Sequence, residues 1–271
     1  MSALYSPSEK GFDERLTAID RCQVALLREI VSQYGPRLIL KGGMAMRAVF
    51  GSMRLTKDID FDREASLSLE SAKNGLPKTI VRAAAVAGIR RPQAEVTKLT
   101  ATTIRVRLAG ETNGGVPLRF EVEVSGRGNL AASERRKETV VPPSSYGMAP
   151  FLVESWSSDM LAAMKVAAAT SAARNVPRDI YDLYDLLNAG VRPASLLSSA
   201  PAADLERILA GATNKLDGIS FALAREELLP YLPPGIRETL DEERWLTYTL
   251  AVGEAVERWA GEALLLKGMP P

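Results

Sequence analysis

The hydrophobic pattern of this chain changes near residue 150, and this change limits the possible folds more than any other feature. Before it, short apolar runs and alternating polar and apolar residues are typical of β-strands. After the segment VVPPSSYGMAP (140–150), runs of β-branched residues disappear, and Ala and Leu dominate. The sequence therefore predicts a mixed α/β domain over residues 1–150 and a helical domain over residues 151–271.

The fold class predicted for the whole chain is α+β. The first domain is expected to contain a mixed sheet flanked by helices, with strands at 37–40, 59–61, 95–99, 103–108 and 118–124. Apolar spacing predicts helices in the same domain at 8–33 and 67–88, with a short one in MAMRAVF. In the second domain, VESWSSDMLAAMKVAAATSA and RDIYDLYDLLNA are each expected to form one helix, and further helices follow.

The composition excludes several kinds of active site. The 271 residues include no histidine and one cysteine, Cys22. Histidine bases, nucleophiles paired with histidine, and zinc sites built from His or several Cys are therefore excluded. A bound metal would need carboxylate oxygens, which suit Mg²⁺ or Mn²⁺. The lone cysteine, the lack of an apolar stretch of about 18 residues and the polar N-terminus lead us to expect a cytoplasmic protein with no membrane partner.

The segment KGGMAMRAVFGSMRLTKDIDFD (41–62) combines two features that favour phosphate chemistry. The first is a pair of glycines, Gly42 and Gly43, between a predicted buried strand and a short helix. Their backbone N–H groups can approach a phosphate closely, and a helix N-terminus favours anions. A tight turn alone would also explain the two glycines. The second feature is the predicted strand that follows, which has aspartates at alternate positions.

These aspartates, Asp58, Asp60 and Asp62, point to one face if the backbone is extended. Crowded carboxylates repel one another unless they are solvated or share a divalent cation. A glycine cradle beside such a cation suits nucleotidyl transfer, in which metal ions hold the reacting phosphate. A third carboxylate is expected from a neighbouring strand, where Glu121 and Glu123 are the candidates. A solvated strand face would explain the two glutamates equally well.

The charges are unevenly distributed although the net charge is only +1. From Lys78 to Lys137, 12 Lys and Arg stand against 5 Glu, a net of +7. From Pro201 to the end, 12 Asp and Glu stand against 7 Lys and Arg, a net of −5. A basic segment is typical of a face that meets a polyanion, although solvated faces also carry charge runs. The residues expected to bind RNA, most of them in a loop after the strand with the two glutamates, are Arg82, Arg127, Arg135, Arg136 and Lys137.

Two motifs resemble those of the AbiEii/AbiGii toxin family of nucleotidyltransferases. The first resembles the family's G-G-x-A-L-R and R-x-S-x-D-I-D, and it reads Gly42-Gly43-x-Ala45-x-Arg47 and Arg54-x-Thr56-x-Asp58-Ile59-Asp60. The second is similar to K-L-x-A…R…R-D-x-x-D-L, and it reads Lys165, then Arg174-x-x-x-Arg178-Asp179-Ile180-Tyr181-Asp182-Leu183. Thr56 replaces the commoner Ser and keeps the hydroxyl. The motifs span residues 41–183, about half of the chain.

The resemblance implies a core of the polymerase-β nucleotidyltransferase type and a helical C-terminal domain that contributes to the active-site cleft. It implies a metal-dependent toxin, encoded with an antitoxin, that transfers a nucleotide from an NTP to an acceptor, and it favours the 3′ end of tRNA. It also favours Glu123 over Glu121 as the third metal ligand beside Asp58 and Asp60, because Glu123-Val124-Ser125 matches the family's E-I-S-like strand.

The resemblance also assigns the remaining site residues. Lys165 could neutralise triphosphate charge, and Asp179 and Asp182 could hold that lysine or position the attacking hydroxyl; an ion-pair cluster between helices is the alternative. The implied catalytic residues are Asp58, Asp60, Lys165 and Asp182. The implied nucleotide-binding residues are Lys41, Gly42, Gly43, Arg47, Thr56, Lys165, Arg178 and Asp179.

Three other functions share parts of this pattern. A small-molecule nucleotidyltransferase of the antibiotic-modifying kind would keep the core but would not need the basic segment. A nucleotidyltransferase acting on proteins fits the same motifs. A non-catalytic nucleotide-binding regulator would keep the glycines and lose the metal ligands, and the presence of both Asp58 and Asp60 counts against it.

Overall fold

The structure is a computed structural model that describes residues 4–126 and 132–268. The chain divides into two compact units, Met1–Trp156 and Ser157–Pro271. The first unit is built around a mixed sheet, and the second consists of helices within the residues described. The predicted α+β class, a sheet flanked by helices and followed by helices, is confirmed.

A seven-stranded sheet forms the centre of the first unit, with strand order β3-β4-β5-β2-β1-β7-β6. Its strands are β1 Leu38–Lys41, β2 Ile59–Arg63, β3 Arg90–Leu99, β4 Thr103–Glu111, β5 Pro117–Ser125, β6 Arg135–Val140 and β7 Phe151–Trp156. β2 runs parallel to β5, and β1 runs parallel to β7, whereas the other neighbouring strands are antiparallel. The helices of this unit are α1 Glu14–Tyr34, α2 Gly42–Ala48 and α3 Leu69–Val86.

The two faces of this sheet differ in polarity because side chains alternate along each strand. Ile59 and Phe61 of β2 and Val122 and Val124 of β5 are fully buried on one face. α1 and α3 pack against each other, and α3 also packs on β3 and β4. The opposite face carries the intervening acidic residues of β2 and β5, so the register of the strands decides which charged groups become neighbours.

Residues 151–156 correct one prediction, because they form a strand and not the first turns of a helix. β7 pairs with β1 on one side and with β6 on the other. The following helix, α4 Ser158–Ala169, begins only after Ser157, whose hydroxyl accepts a hydrogen bond from the Met160 N–H at 3.2 Å. The sequence signal failed because Ser157 is a strong N-cap in the middle of a segment that otherwise has helical spacing.

β6 and β7 also raise the strand number from the five expected to seven. β6 has the sequence RRKETV, which contains no alternating apolar residues and therefore gives no strand pattern. It is an edge strand, and charged residues are common there because they discourage pairing with other chains.

The second unit contains seven helices within the described residues. They are α4, α5 Pro177–Asn188, α6 Ala194–Leu197, α7 Ala202–Asp217, α8 Phe221–Glu227, α9 Pro234–Arg237 and α10 Glu242–Leu266. The long helices α7 and α10 make the most extensive contact. At this contact Gly253 of α10 lies close to Thr213 of α7, and a Cβ on Gly253 would lie 2.6 Å from the Thr213 Cα. Within residues 4–126 and 132–268, no helix combines the length and apolar character that crossing a membrane requires.

Candidate active site

The paired glycines lie directly against the aspartate strand. Gly42 has a φ of +65°, which favours glycine, and a Cβ at this position would collide with Oδ2 of Asp60. A Cβ on Gly43 would lie 2.6 Å from Oγ1 of Thr56 and 2.9 Å from Nη2 of Arg54. Both positions therefore need glycine, and the missing side chains allow the backbone of the turn to touch the Asp60 carboxylate.

Asp60 and Asp58 are both half-buried, and each is held by the strands around it. Asp60 lies opposite Lys41 of β1 and Glu123 of β5. Asp58 immediately precedes β2, and its Oδ1 accepts a long hydrogen bond of 3.4 Å from the Glu121 N–H. The hydroxyl of Thr56 accepts from the Asp58 N–H at 3.4 Å and donates to the Asp58 carbonyl at 3.2 Å. Thr56 thus shapes the turn that presents Asp58.

Asp62 differs from the other two aspartates because it is almost fully buried, with 4% exposed. Its Oδ1 accepts from Lys41 Nζ at 2.6 Å and from Ser125 Oγ at 2.8 Å, and its Oδ2 accepts from Trp156 Nε1 at 2.9 Å. Lys41 Nζ also lies 2.6 Å from Ser125 Oγ. The expected nucleotide-binding residue Lys41 is therefore part of a network that joins four strands beside the glycine turn.

The two glutamates on β5 are paired with arginines of β4. Arg105 contacts Glu123 at 2.7 Å and Glu121 at 3.3 Å, and Arg107 contacts Glu121 at 3.1 Å and Glu95 at 3.0 Å. Burial alone would lower the pKa of Arg105, but the carboxylates of Glu123, Glu121 and Asp60 outweigh it and raise that pKa above its ordinary value. No local pattern predicts these pairings, because they depend on strand register.

The expected metal ligands Asp58, Asp60 and Glu123 or Glu121 stay a prediction. Among residues 4–126 and 132–268, no group of three or more His, Cys, Asp and Glu side chains is arranged to hold a metal ion. Asp58 and Asp60 nevertheless fit a divalent cation, because Mg²⁺ is commonly held by one or two carboxylates together with substrate phosphates. The Asp60 carboxylate also lies beside the glycine backbone, where a phosphate could approach.

Arg47, expected at the nucleotide, is fully buried on α2. It forms a two-pronged ion pair with Asp20 of α1, with N–O distances of 3.0 and 2.9 Å, and its guanidinium lies 3.9 Å from the ring centre of Tyr5. Tyr146 donates a further hydrogen bond to Asp20, and burial with the nearby Asp20 charge raises the pKa of Tyr146. This geometry supports a structural role for Arg47, which fixes α2 and the preceding glycine turn to α1.

In the second unit, Lys165 lies between two buried aspartates one helical turn apart. Its Nζ is 2.7 Å from Asp179 Oδ1 and 2.6 Å from Asp182 Oδ2. Arg174 contacts the other oxygen of Asp179 at 2.7 Å. Burial alone would raise the pKa of Asp179, but the two cations lower it to about 2. These contacts fit both interpretations: aspartates that hold Lys165 for a nucleotide, and an ion-pair cluster between α4 and α5. The nucleotide role of Lys165 stays a prediction.

Arg178 lies in the first turn of α5, next to Asp179 in the sequence. The residue as a whole is half-buried. Its Nε atom is buried and has no hydrogen-bond partner among residues 4–126 and 132–268. An unsatisfied guanidinium N–H is costly, and a ligand or water would be expected to satisfy it. The expected contact of Arg178 with a nucleotide stays a prediction.

The basic residues expected to bind RNA do not form one loop. Arg135, Arg136 and Lys137 belong to β6, which β2, β1 and β7 separate from the strand with the two glutamates. Arg135 is bound to Glu64 at 2.8 Å. The loop prediction was wrong because a strand of charged residues gives no apolar pattern. Arg82 is exposed on α3, as are Arg136 and Lys137 on β6, and Arg127 lies outside the described residues.

A mixed sheet with a Gly-Gly turn against an Asp-x-Asp strand defines a protein of the nucleotidyltransferase class. The model of the nucleotidyl transferase AbiEii toxin family, from type IV toxin–antitoxin systems, matches residues 25–265. The chain therefore belongs to the AbiEii family of nucleotidyltransferase toxins, and the predicted resemblance is confirmed. A comparison with curated protein sequences found no match.

Solved structures of similar fold include two bacterial proteins. JHP933 from Helicobacter pylori is 14% identical, with a TM-score of 0.60 over 95% of this chain and 98% of that one. MenT4, a nucleotidyltransferase toxin from Mycobacterium tuberculosis, is 17% identical, with a TM-score of 0.54 over 95% of this chain and 91% of that one. These similarities extend over both units, and they confirm the predicted fold of a nucleotidyltransferase core followed by helices.

Proposed function

We propose that this protein is a metal-dependent nucleotidyltransferase that transfers a nucleotide from an NTP to the 3′ end of tRNA. Nucleotide transfer is supported above all by the contact between the Gly42 backbone and the Asp60 carboxylate. A phosphate bound at the glycine turn would lie next to a group that can hold a divalent cation. Family membership supports the same reaction class.

Each residue proposed to act on the NTP has a distinct task. Asp58 and Asp60 would hold Mg²⁺ or Mn²⁺, which supplies charge neutralisation at the reacting phosphate and the leaving pyrophosphate. The backbone N–H group of Gly43 would bind a phosphate oxygen. Lys165, oriented by Asp179 and Asp182, would neutralise negative charge on the triphosphate.

The tRNA acceptor rests on a separate observation from the NTP chemistry. It is supported by the exposed cations Arg82, Arg136 and Lys137, since a nucleic-acid backbone is bound mainly by accessible Lys and Arg. A small-molecule acceptor is the second candidate. It is favoured by the pairing of Arg105 and Arg107 with glutamates, because these arginines contribute to the basic segment but are already neutralised.

The toxin role implies further partners. We infer that a cognate antitoxin is encoded nearby and restrains the transfer reaction in the cell, as the type IV toxin–antitoxin family description indicates. We also place the reaction in the cytoplasm, where NTPs and tRNA are found together. Co-expression with the neighbouring gene should relieve any growth defect that the toxin alone produces.

The acceptor can be identified by incubating the protein with labelled NTP and finding which molecule becomes labelled. The full chain is incubated with Mg²⁺, total RNA and each of the four NTPs labelled at the α-phosphate, and the products are separated by gel electrophoresis. We expect label in RNA of tRNA size, and none with Asp60→Ala. Label in protein or in a small molecule would contradict the tRNA proposal, but the protein would still be a nucleotidyltransferase.

The exposed cations provide a second test of the tRNA acceptor. Arg136→Ala combined with Lys137→Ala should weaken tRNA labelling and reduce its salt dependence, because phosphate contacts release counterions. NTP binding should be unchanged. Glu138→Gln on the same strand is the control for general effects on β6. Equal tRNA labelling by the parent and the double variant at physiological salt would exclude a β6 contact with RNA.

A further inference from the structure

The arginines of β4 and β5 differ in whether a carboxylate neutralises them. Arg105 and Arg107 of β4 are bound to glutamates, at 2.7 Å to Glu123 and 3.1 Å to Glu121. Arg119 of β5 is exposed, and among the residues that the structure describes its side chain has no ion pair and no hydrogen bond. Arg119 is therefore available to bind an anionic group of a substrate.

The register of β5 places Arg119 on the face of the candidate site. β5 pairs with β4 over its whole length without a register shift, so its side chains alternate regularly. Phe120 is buried on one face, whereas Arg119 and Glu121 lie on the other. The Glu121 N–H donates to Asp58 Oδ1 at 3.4 Å. An extended strand advances about 3.3 Å per residue, so the backbone of Arg119 lies about 7 Å along β5 from this contact.

The two candidate metal ligands lie next to different strands. Gly42, directly after β1, lies against the Asp60 carboxylate, whereas Asp58 accepts its hydrogen bond from β5. β1 and β5 flank β2 on opposite sides in the sheet. A triphosphate bound at the glycine turn would therefore occupy the β1 side of the aspartates and leave the β5 side to a second substrate.

The transfer reaction needs its two substrates on opposite sides of the reacting phosphate. The acceptor hydroxyl loses its proton to water and forms a bond to the α-phosphorus, while the bond from that phosphorus to the pyrophosphate oxygen breaks. The attacking and leaving oxygens lie roughly in line. With the leaving pyrophosphate at the glycine turn, the acceptor would approach from the β5 side, where Arg119 lies.

We propose that Arg119 binds a backbone phosphate near the 3′ end of the acceptor RNA and so directs the terminal hydroxyl to the aspartates. Arginine suits this task because its planar guanidinium stays charged and can bind two oxygens of one phosphate. An exposed arginine on a sheet face fits a nucleic-acid backbone better than a small molecule enclosed in a pocket. The inference rests on the proposed function, and it identifies the side of the sheet on which the acceptor lies.

Binding of tRNA tests the inference without measuring the reaction. The full chain is titrated into fluorescently labelled tRNA without NTP, and the Kd is measured by fluorescence anisotropy at several salt concentrations. Arg119→Ala should raise the Kd roughly tenfold, as expected for the loss of a charge-assisted contact. It should also lower the slope of log Kd against log salt concentration by about 0.7, the contribution of one phosphate in a single-stranded end.

Two further variants separate a specific contact from a general loss of positive charge. Arg119→Lys keeps the cation and should keep most of the salt slope. Arg21→Ala removes an exposed arginine from α1 and should leave the Kd nearly unchanged. In the transfer assay, Arg119→Ala shown by circular dichroism to be folded should raise the KM for tRNA roughly tenfold and leave the KM for NTP as in the parent.

Four results would overturn the inference, and they lead to different conclusions. If Arg119→Ala binds tRNA like the parent and with the same salt slope, Arg119 does not touch the acceptor, although tRNA labelled by the parent would still support the proposed function. Equal losses in Arg119→Ala and Arg21→Ala would show a general effect of charge. A raised KM for NTP with an unchanged KM for tRNA would place Arg119 at the nucleotide. If the parent neither binds nor labels tRNA, the proposed acceptor fails together with the inference.

Discussion

Replacing Asp179 by Asn removes the charge that holds two cations together. Asp179 is 2% exposed, and its two oxygens contact Lys165 and Arg174, each at 2.7 Å. Asn has nearly the same size, so the substitution changes charge and hydrogen bonding more than packing. It removes the Asp179 carboxylate from both Lys165 and Arg174, while Lys165 keeps its contact with Asp182.

The pKa of Asp179 gives the size of the effect. It falls from an ordinary 3.8 to about 2, although burial alone would raise it, because Lys165 and Arg174 favour the ionised form. Each unit of pKa corresponds to about 1.4 kcal/mol, so the ionised carboxylate contributes about 2 kcal/mol to the free energy of unfolding at neutral pH.

The sign of the pH dependence follows from the lowered pKa. A carboxylate with a depressed pKa in the folded state stabilises the protein fully above the unfolded value of 3.8, and this contribution is lost as the pH falls through about 2. The difference in stability between the parent and Asp179→Asn should therefore be constant from pH 7 to pH 5 and should fall to about half by pH 3.

Urea-induced unfolding at these three pH values measures the difference, followed by fluorescence to which Trp245 and Trp259 of the same unit contribute. The control is Asp204→Asn, because Asp204 is 55% exposed and contacts Arg207 at only 3.7 Å. Exposed pairs contribute little, and we expect a change below about 0.5 kcal/mol. The reasoning is refuted if the two variants lose equal stability at pH 7, or if the Asp179→Asn deficit is unchanged at pH 3.

Three further substitutions test the glycine turn, the Arg47–Asp20 pair and Lys165. Gly42→Ala should abolish nucleotide transfer and lower stability by at least about 1 kcal/mol, because the new Cβ meets the Asp60 carboxylate at a φ that disfavours alanine; normal activity would contradict the observed turn. Asp20→Asn should cost about 3–5 kcal/mol in urea unfolding, because it leaves the buried Arg47 charge unpaired; a loss below about 1 kcal/mol would show that this pair is not buried as described. Lys165→Ala should raise the KM for NTP roughly ten- to a hundred-fold in protein shown by circular dichroism to be folded; an unchanged KM would remove Lys165 from the nucleotide site.

The sequence was sufficient to predict the fold class, a mixed sheet flanked by helices and followed by further helices. The periodicity of apolar residues distinguishes strands from helices. A local strand–turn–helix–strand unit explains the spacing of Gly42, Gly43, Asp58 and Asp60. Both kinds of signal depend on residues close together in the chain. In the structure, Gly42 lies against Asp60, so the two parts of the motif are neighbours.

Side-chain partners could not be predicted where long-range pairing decides them. Asp62 has the same spacing as Asp60, but Lys41, Ser125 and Trp156 bury it in a network whose members come from four strands. Arg47 pairs with Asp20 because α2 packs on α1. No local sequence pattern predicts that packing. Side-chain spacing predicts a shared face, whereas tertiary packing decides which members of that face reach solvent.

Release of pyrophosphate from NTP by a folded Asp60→Ala variant is the most direct test of the central claim. Removing one of two neighbouring carboxylates relieves repulsion, so this variant should keep its circular dichroism spectrum and its thermal stability. With Mg²⁺ and total RNA present, we expect the parent to release pyrophosphate in proportion to the label it transfers, and Asp60→Ala to release none above background. Pyrophosphate release by folded Asp60→Ala at the rate of the parent would contradict a reaction centre at the glycine–aspartate contact.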